Sequence, residues 1–355
     1  KYVSLVIYFV SSLVTSSNAQ VADISMFSST RSINPGLSHL RTSGFLSADA
    51  SKYQVEKHQD VPFENGMTTK VDLNTMSFYR AGKGNGLTTE FLASNQNAQQ
   101  KETFLDAGET VTSLTEADST HIDLKIDLTF MGFGFARGTY TNNNSFKSAN
   151  FEVKGESDIV YYCLALGRSV KIGPLKIGMF YEAVKIGGES KSTFMGTDNT
   201  DKFDALDHVA GAGIALSGKS YHLEVSYEQK KTDEPEAPEG QTTIKEPTQK
   251  RISGIIEFKK GKLALGIRSR LIEGNYFDLS NLIMSQMLYS GFRFESRLEN
   301  SFNFSYGSDK GLGISGFISV SKTTADEGST YFPGTTKFKS EIDSQAVGLT
   351  LSYVY

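Results

Sequence analysis

The chain has 355 residues, a formal net charge of −4 and 38% hydrophobic residues. That length suits one large barrel or two ordinary domains, and the apolar content is low for a soluble α/β enzyme. No block of Lys and Arg marks a nucleic-acid partner, the five His and single Cys show no metal-binding spacing, and no cofactor is expected. Cys163, in the run Tyr161, Tyr162, Cys163, Leu164, reads as a small apolar strand residue.

The first elements are a leader and a poorly patterned segment. "KYVSLVIYFVSSLVTSSNAQ" carries Lys1, an apolar stretch from Tyr2 to Val14 and small residues at Ser17, Asn18 and Ala19. This predicts a secretory signal peptide over residues 1–19. No later run of about 20 apolar residues predicts a membrane helix, which leaves a closed barrel as the way across a bilayer. Residues 20–64 form an N-terminal segment, read as a plug or, over 36–60, as a first hairpin. The barrel itself is expected over 65–355, with strands near 66–80 and 84–97. Alternation is weak before residue 118, and 98–118 reads as a periplasmic excursion or a loop.

From about residue 119 the sequence predicts ten strands, for a total of about 12, or 14 if 36–60 is a hairpin. "HIDLKIDLTF" sets Ile122, Leu124, Ile126, Leu128 and Phe130 against Asp123, Lys125, Asp127 and Thr129. "LKIGMFYEAV" sets Leu175, Ile177, Met179 and Tyr181 against Lys176, Gly178, Phe180 and Glu182. In "YHLEVSYEQK", Tyr221, Leu223, Val225 and Tyr227 oppose His222, Glu224, Ser226, Glu228 and Lys230. In "KLALGIRSRL", Leu263, Leu265, Ile267 and Leu271 oppose Ala264, Gly266, Arg268 and Arg270. "QMLYSGFRFESRLENSFNFSYGS" keeps Phe292, Phe294, Leu298, Phe302, Phe304 and Tyr306 in one register if it is a single strand, leaving Arg293, Glu295, Arg297 and Glu299 on the other face. Those charges are placed to pair with Arg268 and Arg270 on the preceding strand. Period-two alternation of this kind predicts strands with one face to lipid and one to a polar lumen.

Connections sort by length. Short turns fall at Ser217–Ser220, Lys259–Lys262 and Gly307–Gly311, and long hydrophilic stretches cover 230–250 and 322–341. Short turns on one side and long loops on the other fit a barrel with periplasmic turns and extracellular loops. The expected fold class is therefore all-β: a transmembrane, antiparallel, up-and-down barrel. With Trp absent, Tyr and Phe must build its interfacial girdles.

The last strand, "AVGLTLSYVY", combines Gly348, Leu351, Tyr353 and the terminal Tyr355. It resembles the assembly signal that Gram-negative outer-membrane β-barrel proteins, porins among them, present to the barrel-insertion machinery. The resemblance implies a bacterial outer-membrane location, with outer-membrane lipid and the insertion machinery as partners, as a monomer or a homo-oligomer. "INPGLSHL" (33–40) resembles, through Asn34, Pro35, Gly36 and Leu37, an N-terminal element of the long-chain fatty-acid outer-membrane transporter family, and is equally an ordinary turn.

Asp123, Lys125, Asp127, Glu182, His222, Glu224, Glu228, Arg268, Arg270, Arg293, Glu295, Arg297 and Glu299 are thus expected to line the pore. His222 and Glu224 share a face as a proton-sensitive pair. His39, His58, His121 and His208 are scattered, no Ser–His or Asp–His pair stands out, and no enzyme is expected. The leading functional expectation is a passive, porin-like channel for small solutes. The alternatives are a transporter of hydrophobic compounds, and a surface or adhesion barrel acting through its loops.

Overall fold

A strand with one apolar and one polar face survives in a bilayer only if its backbone groups are paired along both edges. The structure, a computed structural model, describes residues 45–59, 67–84, 87–106, 109–128, 131–147, 152–194, 197–233, 248–276, 291–307, 311–329 and 336–354. These contain fourteen strands: β1 (Phe45–Gln59), β2 (Met67–Gly84), β3 (Leu87–Asp106), β4 (Glu109–Leu128), β5 (Gly132–Lys147), β6 (Glu152–Ile172) and β7 (Leu175–Phe194). The chain continues as β8 (Thr197–Ser217), β9 (Tyr221–Thr232), β10 (Thr248–Lys260), β11 (Leu263–Tyr276), β12 (Gly291–Gly307), β13 (Gly311–Ser329) and β14 (Thr336–Val354). Each pairs antiparallel with its sequence neighbours, and β1 pairs with β14, so the sheet closes and no edge is left open.

The register fixes the shape. A circuit that leaves β1 at Phe45 passes Ala81, Glu90, Lys125, Gly134, Ala165, Glu182, Val209, Lys230, Gln249, Gly274, Glu295, Ala325 and Ser340, and returns to β1 at Gln59. That is a shift of fourteen residues in fourteen strands. Equal strand number and shear set a tilt of about 35° and a Cα radius of about 13 Å.

The two faces separate as the alternation predicts. Leu164 is 64% exposed on the outer face, while Arg270 is 1% exposed inside. An outer-membrane band about 25 Å tall takes roughly nine residues of a strand at this tilt. On β7 the outward positions stay free of charge over the nine residues Leu175 to Ala183, then reach Lys185. On β13 they run Leu312 to Val320, again nine residues, before Lys322. The band lies at the end where the barrel's turns are short. There Gly173 (φ 60°) and Gly261 (φ 61°) adopt the left-handed backbone that two-residue hairpin turns require. Both β1 and β14 meet that same end, at Phe45 and Val354.

Three expectations need revision. The barrel begins at Phe45, not at 65, because residues 45–59 supply β1. Its weak alternation hid it; pairing to both β2 and β14 is what holds it. The described residues hold 14 strands, the higher of the two expected totals: eleven lie between Glu109 and Val354, where ten were expected, and 45–59 supply one. The stretches 98–118 and 322–341 are mostly ladder, forming the adjoining ends of β3 and β4 and of β13 and β14. There the strands have left the hydrocarbon and both faces are polar. The single long strand over 291–307 stands as predicted. The signal peptide and the Asn34–Leu37 element lie outside the described residues.

Candidate functional site: the barrel lumen

The described inward faces of β3 to β14 make two unlike walls. One, on β9 to β12, is charged. Arg270 faces Glu299 in register, with Nη1 to Oε2 at 3.7 Å. Arg297 donates from Nη2 to the same carboxylate at 3.0 Å. Both side chains of the Arg270–Glu299 pair are almost wholly buried, where an ion pair is kept only with close partners. One strand away Arg251 meets Glu228 at 3.2 Å. Arg268 and Glu224 are buried beside them. His222 shares hydrogen bonds with Ser217 Oγ (2.8 Å) and Glu224 Oε2 (3.3 Å). Small hydroxyls continue this wall through β12 to β14, at Ser301, Ser315, Ser319, Ser321, Thr323 and Ser344.

The other wall, on β3 to β8, is mixed: it holds most of the described buried apolar side chains, set among buried Glu90, Gln96, Ser119, Asp123, Asn142, Ser157, Lys176, Ser190 and Asp207. Leu92, Ala117, Ala136, Tyr140, Ile159, Phe180 and Ala215 are buried on the inward face. Tyr161, Cys163 and Ala165 stand on the same face of β6, and His121 Nδ1 shares a 2.5 Å hydrogen bond with Tyr161 Oη. Charges on this side are neutralised locally in part: Lys125 reaches Asp123 at 3.5 Å, and Lys230 reaches Asp207.

Of the residues predicted to line the pore, Asp123, Glu224, Glu228, Arg268, Arg270, Arg297 and Glu299 are buried inward, and Lys125, Glu182 and His222 are half-buried on the same face. The register brings Glu299 to Arg270, as the charge pattern implied. The side chains of Asp127, Arg293 and Glu295 lie outside the described ones, as does Tyr355. Gly348, Leu351 and Tyr353 are in β14; Leu351 and Tyr353 point to lipid, and Gly348 points inward under the ring of Phe317.

One cluster escaped the sequence. His208, dismissed as isolated, sits outward at the top of the apolar band. Its Nδ1 shares a 2.5 Å hydrogen bond with Tyr181 Oη and its Nε2 a 3.1 Å contact with Asp233 Oδ2. Asp233 also donates its backbone N–H to Leu206 at 2.8 Å, tying down the end of β9. The partners are 25 or more residues away in sequence, so only the register brings them together. Aromatic and imidazole rings with a polar edge suit this boundary between lipid and water. Among the described residues no group of His, Cys, Asp and Glu is placed to hold a metal ion.

No protein-family model matches the sequence, and no curated protein matches it. Solved structures do. A monoaromatic hydrocarbon channel, the TodX deltaS2 mutant, superposes with a TM-score of 0.57 at 9% identity, covering 91% of this chain and 93% of that one. The P. putida toluene transporter TodX gives 0.55 at 9% identity over 91% and 93%. A Pseudomonas aeruginosa FadL homologue gives 0.52 at 9% identity over 90% and 92%. At such identity the likeness is one of fold, and the fold is that of bacterial outer-membrane barrels. The chain has the fold of an outer-membrane β-barrel.

Proposed function

We propose that the barrel conducts hydrophobic compounds across the outer membrane. The observation that carries this reading is a set of buried apolar side chains inside the lumen, most of them on β3 to β8. Leu92, Tyr140, Ile159 and Phe180 are bulky and buried on the inward face among polar neighbours, where a purely polar pore wall would place none. Opposite them, the charges are largely spent on one another: Arg270 and Arg297 on Glu299, Arg251 on Glu228. The similar barrels include a monoaromatic hydrocarbon channel and a toluene transporter, which supports the same choice. Outer-membrane lipid around the apolar band, and an insertion machinery that reads Gly348, Leu351 and Tyr353, complete the proposal.

The experiment is uptake into vesicles whose outer leaflet is lipopolysaccharide, a barrier to apolar solutes. With purified barrel present, a neutral monoaromatic hydrocarbon should enter several-fold faster than into empty vesicles, and planar-bilayer conductance should stay small. Large conductance steps with no gain in hydrocarbon entry would return the molecule to the porin class.

A further inference from the structure

We propose that the lumen selects, among hydrophobic compounds, those carrying a protonated amine. This rests on the conduit reading above and adds the polar group of its cargo. Glu90 on β3 faces the lumen and is 2% exposed, and neither carboxylate oxygen has a hydrogen-bond partner. A carboxylate so placed is costly to bury unless something donates to it. Lys125 lies directly opposite in register, but its ammonium is turned to Asp123 at 3.5 Å.

The wall beside Glu90 is shaped for an amphiphile. Leu92, the next inward residue of β3, is buried and apolar. Along the same hydrogen-bonded row, Lys125 is followed by Gly134 and Ala165 before Glu182. A Cβ on Gly134 would stand 3.0 Å from the Ala165 Cβ, so this recess stays shallow-walled only with glycine there. Glu182 lies within electrostatic reach of Lys125, Asp123, Glu228 and Arg251. Asp123 and Glu228 each have a cation close by, Lys125 at 3.5 Å and Arg251 at 3.2 Å, whereas Glu90 has no hydrogen-bond partner. The unmatched charge is negative and adjoins apolar surface. An alkyl or aryl amine meets both: its chain lies on Leu92 and Ala136, and its ammonium supplies the donors that Glu90 lacks. A carboxylate of equal length would meet like charge there.

The test compares three probes of one chain length in the same vesicles: octylammonium, octanoate and octanol, beside the neutral hydrocarbon. The intact barrel should admit octylammonium about tenfold faster than octanoate, the worth of one charge-assisted hydrogen bond. Glu90→Gln should cut that preference to about threefold or less while octanol and hydrocarbon entry hold. Glu182→Gln, in barrels shown folded by their unheated gel mobility, should also reduce it. Octanoate entering as fast as the amine, or a Glu90→Gln barrel with its preference intact, overturns this inference alone. Failure of the neutral hydrocarbon to enter overturns the conduit reading beneath it.

Discussion

At the scale of single residues, the interior is organised by where a charge or a side-chain atom can be accommodated. Glu299 is the anion on which Arg270 and Arg297 converge, and all three are almost fully buried. Removing one partner of a buried pair costs about 3–5 kcal/mol. Glu299→Ala should therefore lower the urea midpoint of the detergent-solubilised barrel substantially. Glu341→Ala, which breaks the half-exposed pair with Lys322 at 3.2 Å, should change stability by about 1 kcal/mol or less. Equal effects would mean the lumen is open enough to hydrate Glu299. Steric room gives a second contrast. Phe180 covers Gly211 across the strand pair, and a Cβ there would fall 2.4 Å from the ring and 2.9 Å from the Tyr227 carbonyl oxygen. At Gly254 the nearest atom would be 3.8 Å away. Gly211→Ala should cost about 1–3 kcal/mol by overpacking, and Gly254→Ala close to nothing; thermal gel-shift midpoints of the two variants decide it.

At the scale of elements, alternation proved a reporter of lipid rather than of strand pairing. β9, β11, β13 and β14 were legible because each crosses hydrocarbon with aliphatic residues on one face only. The outer halves of β3 and β4 were not, since beyond the band both faces meet water and nothing forces a period of two. Backbone bonds and polar cross-strand pairs hold these extensions instead. Asn97 donates to Asp118 at 2.6 Å, and Gln99 to Glu116 at 3.2 Å. β1 was hidden for a related reason: its place comes from closure against β14, a contact no local pattern encodes. The charged wall of the lumen could be read from residues such as Arg268, Arg270 and Glu299. The Tyr181–His208–Asp233 cluster could not, because its members meet only through the register of β7, β8 and β9.

At the scale of the whole molecule, fourteen strands with a shear of fourteen enclose an interior wide enough for an ionic wall on β9 to β12 and a mixed wall on β3 to β8 that carries most of the described buried apolar side chains. The same closure turns a chain of modest hydrophobicity into a membrane protein, since only alternate residues of the band must be apolar. The chemistry of the lumen depends on which face of each strand meets lipid. The direct measurement replaces Cys163 with Ala and places single cysteines along 160–168 of β6, each carrying a spin label, in bilayers containing a lipid-soluble relaxing agent. The even positions, Val160, Tyr162, Leu164, Leu166 and Arg168, should be strongly relaxed, and Tyr161, Ala165 and Gly167 weakly, with a period of two. Uniform accessibility along the strand, or strong relaxation at the odd positions instead, would contradict the account.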